Sequence, residues 1–194
     1  MGRNIAFDYD KAIHRATLLF WRQGYTNTSL RDLLKAMHIG EGSFYNTVKS
    51  KKALFLECLK HYGETVGSKR AAALFSQPSV KKGIRALFNT VLDDLDNPAN
   101  PRMCFMANSV SCDVVKESEL RQFLEAAMSD FQSRFVARLQ KAVQSGELPK
   151  DFDSVSVAAI VATFMQGLLR GVIINYDRRK IERQVEILLT GLGF

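Results

Sequence analysis

Between Ala16 and Phe55 the chain carries a spacing that few folds can satisfy. It reads Ala16-x-x-Leu19-Phe20-x-x-x-Gly24-Tyr25-x-x-Thr28-Ser29-Leu30-x-x-Leu33-Leu34, then Gly42-Ser43-Phe44-Tyr45, then Ser50-Lys51-x-x-Leu54-Phe55. A first helix from about Tyr9 to Gln23 puts Ile13, Ala16 and Phe20 on one face and stops at Gly24, a residue that tolerates the left-handed backbone of a helix end. Ser29, with Asp32 three residues on, forms the capping-box pattern that starts a second, short helix. Leu30, Leu33, Leu34 and Met37 then recur at the i, i+3, i+4, i+7 spacing of one buried stripe. His38-Ile39-Gly40 reads as a turn, a brief third helix follows from about Gly42 to Thr47, and Ser50 caps a fourth whose Phe55, Cys58, Leu59 and Tyr62 share a face. The outcome is a three-helix unit with a helix-turn-helix at its centre, followed by a longer helix.

Charge singles out the same region. Residues 1–62 carry ten Lys/Arg against five Asp/Glu, whereas the remaining residues carry seventeen against fifteen, so the net +7 sits mostly at the front, where phosphates would be met. In a helix-turn-helix the second helix of the motif enters the major groove and the preceding one braces against the backbone. Here the entering helix is Gly42–Thr47. Gly42 lets backbone come close, and Ser43, Tyr45 and Thr47 carry hydroxyls that can donate to phosphate or to base edges. Thr28 and Ser29 at the start of the preceding helix, with Lys49, Lys51 and Lys52 beside the start of the fourth, are expected on the sugar-phosphate backbone. Phe44 is expected to point into the three-helix core.

These residues resemble the N-terminal domain of the tetracycline-repressor (TetR) family of bacterial transcription regulators. That family's pattern runs Gly-Tyr/Phe, Thr-Ser/Thr, then Gly-x-Phe/Leu-Tyr-x-x-Phe-x-Ser-Lys-x-x-Leu, and the chain matches it at Gly24, Tyr25, Thr28, Ser29, Gly42, Phe44, Tyr45, Ser50, Lys51 and Leu54. The matches cover about fifty residues and are specific as a set. Val48 departs from the usual aromatic, Thr47 from His or Tyr, and Lys52 from Glu; none of these removes the fold. The resemblance implies a ligand-responsive regulator, a repressor released from a pseudo-palindromic double-stranded DNA operator by a small-molecule inducer, with no catalytic role.

The rest of the chain shows no strand alternation, repeat or low-complexity tract, so the whole reads as all-α: residues 1–62 as the DNA-binding domain and 63–194 as a larger helical ligand-binding and dimerisation domain. The fourth helix is expected to run on to about Phe75. Ser79 then caps a fifth to about Asp94, Asp96–Pro101 forms a loop, and a sixth helix spans about Met103 to Val115. A long seventh, Ser118 to Gln144, faces Leu124, Ala127, Met128, Phe131, Phe135 and Leu139 inward; an eighth (Asp153 to Asn175) and a ninth (Arg179 to Leu192) complete the set.

The eighth helix is apolar almost all round and must therefore be covered twice, once by its own domain and once by something else. With the stripe Ile181, Val185, Leu188, Leu189 and Leu192 of the ninth, and with Gly167 and Gly171 allowing close approach, it is expected to form a homodimer interface through Phe164, Leu168, Val172, Val185, Leu188 and Leu189. The family uses its last two helices in the same way. An inducer chamber is expected among Phe88, Met103, Phe105, Phe131 and Phe164, with Asn108 and Gln166 as polar handles and Cys104 beside them.

Met103-Cys104-Phe105-Met106-Ala107-Asn108 resembles a Gly-Cys-Leu/Phe-x-x-Asn stretch common in one subset of the family, some members of which sense oxidants or electrophiles through a thiolate there, with Met103 in place of Gly. A thiol-sensing regulator using Cys104 is the alternative reading. The other two cysteines, Cys58 and Cys112, make no C-x-x-C spacing with it, and an odd count without an export signal fits reduced thiols in a cytoplasm. Val155–Ile174 is the only membrane-like stretch, but Gln166 and Arg170 interrupt it. His14, His38 and His61 are scattered without metal-ligand spacing, no nucleophile elbow is present, and Gly40-Glu41-Gly42-Ser43 lacks the Lys of a phosphate loop, so no catalytic site, cofactor or metal is expected.

Overall fold

A computed structural model describes residues 8–194, and every regular element among them is helical. They fall into two compact units. The first comprises the described residues up to Val66 together with residues 104–123, and the second comprises residues 67–103 and 124–194.

The first unit begins with α1 (Tyr9–Gln23). Asp8 caps it by accepting from the Lys11 amide at 3.1 Å, and it ends at Gly24, whose φ of 79° lets its N–H turn back to the Phe20 carbonyl at 2.8 Å. Helix α2 (Leu30–Met37) is started by Ser29, whose hydroxyl accepts from the Asp32 amide and donates to the Asp32 carboxylate at 2.6 Å. It is terminated by His38 in the left-handed conformation, φ 58° and ψ 43°. A side chain in that region costs about 1 kcal/mol or more that glycine does not incur. His38→Gly is therefore expected to raise the thermal midpoint by a few degrees, read by circular dichroism; a lower midpoint would show that the imidazole has a compensating contact.

Helix α3 (Glu41–Thr47) follows, then α4 (Lys51–Tyr62), capped by Ser50 accepting from the Ala53 amide at 3.0 Å. Ala16, Phe20, Leu33, Phe44, Leu54, Cys58 and Leu59 are completely buried between these helices. An edge-to-face contact of Phe20 with Phe55 at 4.9 Å and of Trp21 with Tyr62 at 4.9 Å locks α1 onto α4.

The fourth helix does not continue unbroken towards Phe75 as its apolar spacing suggests. It loosens into a π-turn over Gly63–Gly67 before α5 (Ser68–Phe75). Two glycines four positions apart weaken the α-helical ladder there, and Gly63 leaves room for the Met106 methyl, which a Cβ would meet at 3.2 Å.

The expected sixth helix is likewise two short ones, α7 (Phe105–Ser109) and α8 (Cys112–Lys116), parted by a tight turn at Val110 and extended backbone at Ser111. The Ser109 hydroxyl bonds back to the Phe105 carbonyl at 2.7 Å, and the Ser111 amide turns to the Ser109 carbonyl at 2.9 Å, both competing with the helical ladder. Residues 104–123 thus pack with the first unit, which a single division of the chain at residue 62 does not convey.

In the second unit α6 (Val80–Asp96) crosses α5 so closely that a Cβ on Gly83 would lie 2.4 Å from the Leu74 carbonyl oxygen. Arg70 ties the pair further by donating to the Asp94 carboxylate at 2.9–3.0 Å. The long α9 (Ser118–Gln144) enters this unit from Leu124 and buries Leu124, Phe135 and Leu139, whereas Met128, expected inside, is 43% exposed.

Helices α10 (Ser154–Gly171) and α11 (Arg178–Gly191), capped by Asp153 and Asp177, close the chain. Their joint with α6 combines the apolar Phe88–Phe164 contact with polar links. The Tyr176 hydroxyl donates to Asp96 at 2.7 Å, and burial together with that hydrogen bond pushes the Tyr176 pKa up to about 12; Arg178 bridges Asp93, Asp96 and Glu182. Helix α10 has the length and apolar composition of a membrane span, and only 28% of it is buried within the subunit. One of its faces is therefore apolar and open.

Candidate nucleic-acid interface

Helix α3 hangs on the core by Phe44 and Val48, which are 0% and 5% exposed. That anchoring turns Gly42, Ser43, Tyr45, Asn46 and Thr47 outward. Tyr45 is 49% exposed and is held edge-on against Phe44 at 5.3 Å, so its hydroxyl is presented on a fixed stem. A Cβ on Gly42 would meet nothing within 4 Å, so the chain's own packing does not demand the missing side chain. The space it leaves is on the outside, where another backbone could come close.

The two hydroxyls expected at the start of α2 are committed internally. Thr28 is completely buried and donates to the Gly24 carbonyl at 2.6 Å, so its side chain positions the α1–α2 corner instead of facing outward. Ser29 is exposed, but its hydroxyl serves the α2 cap, and its hydrogen bond holds the Asp32 carboxyl below its ordinary pKa.

Lys51 lies over the Tyr25 ring at 4.7 Å, and partial burial lowers its pKa. Tyr25 in turn packs on Phe55 at 4.8 Å, so the ammonium is held on a rigid aromatic stack beside the start of α4. Lys49 is exposed and, like His38, left-handed, with φ 71°. Lys52 pairs with Glu117 and Glu119 at 3.5 and 3.9 Å.

Those pairs, with Thr26 donating to Asp113 at 3.0 Å, fasten residues 104–123 beside the helix-turn-helix. Phe105 is the centre of that attachment. It is 1% exposed and meets Phe55 at 5.5 Å, Tyr62 at 5.7 Å and Trp21 at 6.4 Å. The residues expected to line one chamber are accordingly divided. Cys104, Phe105 and Asn108 belong to the first unit; Phe88, Met103, Phe131, Phe164 and Gln166 belong to the second. Phe88 is buried against Phe164 at 5.6 Å, Phe131 packs on Phe75 at 6.0 Å, and Gln166 is exposed.

Among the three cysteines, Cys58 is buried with its thiol pushed up to about 12 by desolvation, and Cys104 is half-buried with the Tyr62 hydroxyl 3.6 Å from its sulfur. The fold also brings together His14 and His61, which are 47 residues apart in the chain, with Nδ1 and Nε2 at 3.3 Å. Burial and the proximity of His14 lower the pKa of His61, while Glu64 and Asp10 act in the opposite sense.

A second surface lies on α10 and α11, where a groove of about 660 Å³ is lined by Phe164, Gly167, Leu168, Gly171, Gln184, Ile187 and Leu188 among others. Of the residues expected at a subunit interface, Phe164, Leu168 and Leu188 face this groove. Val185 and Leu189 point into the subunit's own core, and Val172 borders the groove while only 3% exposed. Ile187, 64% exposed, also lines this groove. Its signal was in the pattern, since Ile181, Val185 and Leu189 already complete one inward stripe and leave Ile187 as an apolar residue outside it. Beyond the neighbouring residues and the helix's own backbone, no atom of the described residues lies within 4 Å of a Cβ built on Gly167 or Gly171.

Residues 12–58 match the family model for bacterial regulatory proteins of the tetR family, and residues 81–188 match that for a tetracyclin repressor-like C-terminal domain. The chain is 33% identical to YezE of Bacillus subtilis, an uncharacterized HTH-type transcriptional regulator, over 99% of this chain and 100% of that one. It is 27% identical to the HTH-type transcriptional repressor ComR of Escherichia coli over 86% of this chain and 80% of that one. A cysteine mutant of the TetR family transcriptional regulator CifR, solved with 26-bp double-strand operator DNA, superposes with a TM-score of 0.89 at 30% identity, covering 97% of this chain and 98% of that one.

Proposed function

The chain belongs to the tetracycline-repressor family of DNA-binding transcriptional regulators, and on that footing we propose that it is a homodimeric repressor, seated on a pseudo-palindromic operator by two α3 helices and released by a small molecule. The observation that carries the DNA-reading part is the division of α3. Phe44 and Val48 fix the helix to a closed aromatic core, while Ser43, Tyr45 and Thr47 stand outside with open space at Gly42. Those hydroxyls reach base edges and phosphates, and Lys49 and Lys51 neutralise flanking phosphates. Ser29 contributes by fixing the start of α2, its hydroxyl being engaged with Asp32. Thr28 acts through the corner it holds, a positioning role.

Two such helices about one turn of B-DNA apart require two subunits, and the open α10–α11 face supplies the surface for pairing. The gaps at Gly167 and Gly171 allow a partner helix to approach closely, and pairing covers the exposed face of α10. Release follows if an apolar molecule, taken up by the second unit beside residues such as Phe131 and Met103, binds more tightly to a spacing that does not match DNA. A reduced, cytoplasmic setting suits the free thiols.

Selection of bound duplexes from random DNA, followed by gel shifts at increasing salt, tests this reading. Affinity should fall by orders of magnitude between about 50 and 200 mM salt. Tyr45→Phe removes one hydroxyl donor and should weaken operator binding by about tenfold with an unchanged circular-dichroism spectrum. Unaltered affinity would remove Tyr45 from the interface, and failure to select any duplex would overturn the reading.

The half-buried Cys104 sulfur beside the Tyr62 hydroxyl favours a second reading, release by thiol modification. Iodoacetamide at neutral pH, with sites mapped by mass spectrometry, should modify Cys104 and leave Cys58 untouched in the folded protein, since burial holds the Cys58 thiol protonated. Cys104 labelling slower than free cysteine would end that reading.

A further inference from the structure

The regulator's DNA-reading and pairing surfaces leave one cluster of side chains unused. His14 on α1 and His61 on α4 place Nδ1 and Nε2 at 3.3 Å, with ring centres 5.6 Å apart and planes inclined at 74°. That separation allows a hydrogen bond between the rings while one of the two nitrogens keeps its proton, but a hydrogen bond is not the only link it accommodates. It suits a chelate. Two imidazole nitrogens each about 2.0–2.1 Å from one ion stand about 2.9 Å apart at a right angle and about 3.4 Å apart at the tetrahedral angle.

The two rings are also held in place by what flanks them. Ile13 and Tyr62, the chain neighbours of His14 and His61, are 5% and 2% exposed, and both helices are buried along the α1–α4 seam. The ordering cost of bringing two ligands together is thus met by the fold before any ion arrives. Asp10, one helical turn before His14, and Glu64, three residues after His61, add negative charge around His61. Among the described residues no three His, Cys, Asp or Glu side chains are already arranged as a complete ligand set, so water would fill the remaining positions. The Cys58 thiol contributes nothing, because it turns inward towards the Ile13 carbonyl at 3.9 Å.

We propose that His14 and His61 form a two-nitrogen site for a first-row divalent transition-metal ion, which clips α1 to α4 within the DNA-binding unit. Imidazole nitrogens select nickel, copper and zinc over magnesium and calcium, which require oxygen ligands. The ion favours the folded unit, because the two ligands are 47 residues apart along the chain and meet only when α1 and α4 pack.

The test is calorimetric titration of the metal-stripped full-length chain with NiCl2, with MgCl2 as the control salt, joined to thermal unfolding followed by Trp21 fluorescence. We expect one nickel ion per chain, a raised midpoint with nickel and no shift with magnesium. His14→Ala and His61→Ala each reduce two-point to one-point binding and should weaken nickel affinity on the order of 100-fold. His38→Ala, which removes an exposed histidine elsewhere, should leave it unchanged. Both alanines suit helix interiors, and circular dichroism confirms the fold; His14→Gln repeats the test with a side chain of similar bulk. Equal nickel binding by the His14 or His61 variants, one ion per two chains, or no midpoint shift would each overturn the site. None of these readouts involves DNA, so the operator reading stands or falls separately.

Discussion

Ile187→Asp is expected to leave each subunit folded and to turn the protein monomeric at micromolar concentration. Ile187 is 64% exposed in the isolated subunit, so a carboxylate there costs the subunit's own core nothing. In a pair joined through the α10–α11 groove the same carboxylate would be buried without a partner. An uncompensated buried charge costs about 3–5 kcal/mol, and a two-fold interface meets the cost twice. Leu188→Asp should act in the same direction, with some added cost within the subunit because Leu188 is half-buried. Sedimentation reads the result directly, and operator affinity should collapse with it, since one recognition helix then binds without the other. Dimers that survived both substitutions would place the interface elsewhere. Arg170→Glu, on the α10 turn before Gly171, should weaken pairing more mildly through charge alone.

Phe105→Ala should be the most damaging single truncation in the first unit. Phe105 is 1% exposed and touches rings from both α1 and α4, namely Trp21, Phe55 and Tyr62. Deleting a buried phenyl group typically costs about 3–5 kcal/mol through lost transfer energy and the cavity left behind. Trp21 is the chain's single tryptophan and one of the rings Phe105 contacts, so its fluorescence should report an earlier unfolding transition in denaturant. Operator binding should fail at temperatures the unaltered protein tolerates. A loss below about 1 kcal/mol would mean that residues 104–123 are a loose appendage to the helix-turn-helix instead of part of its core.

The local elements were legible because each is punctuated by chemistry that acts within a few residues. Gly24 ending α1, Ser29 with Asp32 starting α2, Ser50 starting α4 and Ser79 starting α6 are hydrogen bonds over three or four positions, and the structure has all of them. Phe44 as the buried anchor of α3, with Tyr45 outside it, followed equally from a single helical stripe. What failed to show was competition inside a run of good helix formers. The Ser109-Val110-Ser111 interruption and the π-turn at Gly63–Gly67 depend on hydroxyls, glycines and the Met106 methyl in ways that apolar spacing does not encode. The hydroxyls of Thr28 and Ser29 illustrate the same limit, since their residue type suits a phosphate while the fold engages them with Gly24 and Asp32.

From residue order alone came the all-helical character, the helix-turn-helix and its polar outer face, because caps and a 3.6-residue period are local properties that any single helix displays. Tertiary structure alone decided which apolar residues of α10 and α11 remain outside, that Phe105 belongs to the DNA-binding unit, and that His14 meets His61. Those outcomes turn on which helix packs against which, and that is settled by side chains distant in the chain competing for the same buried volume.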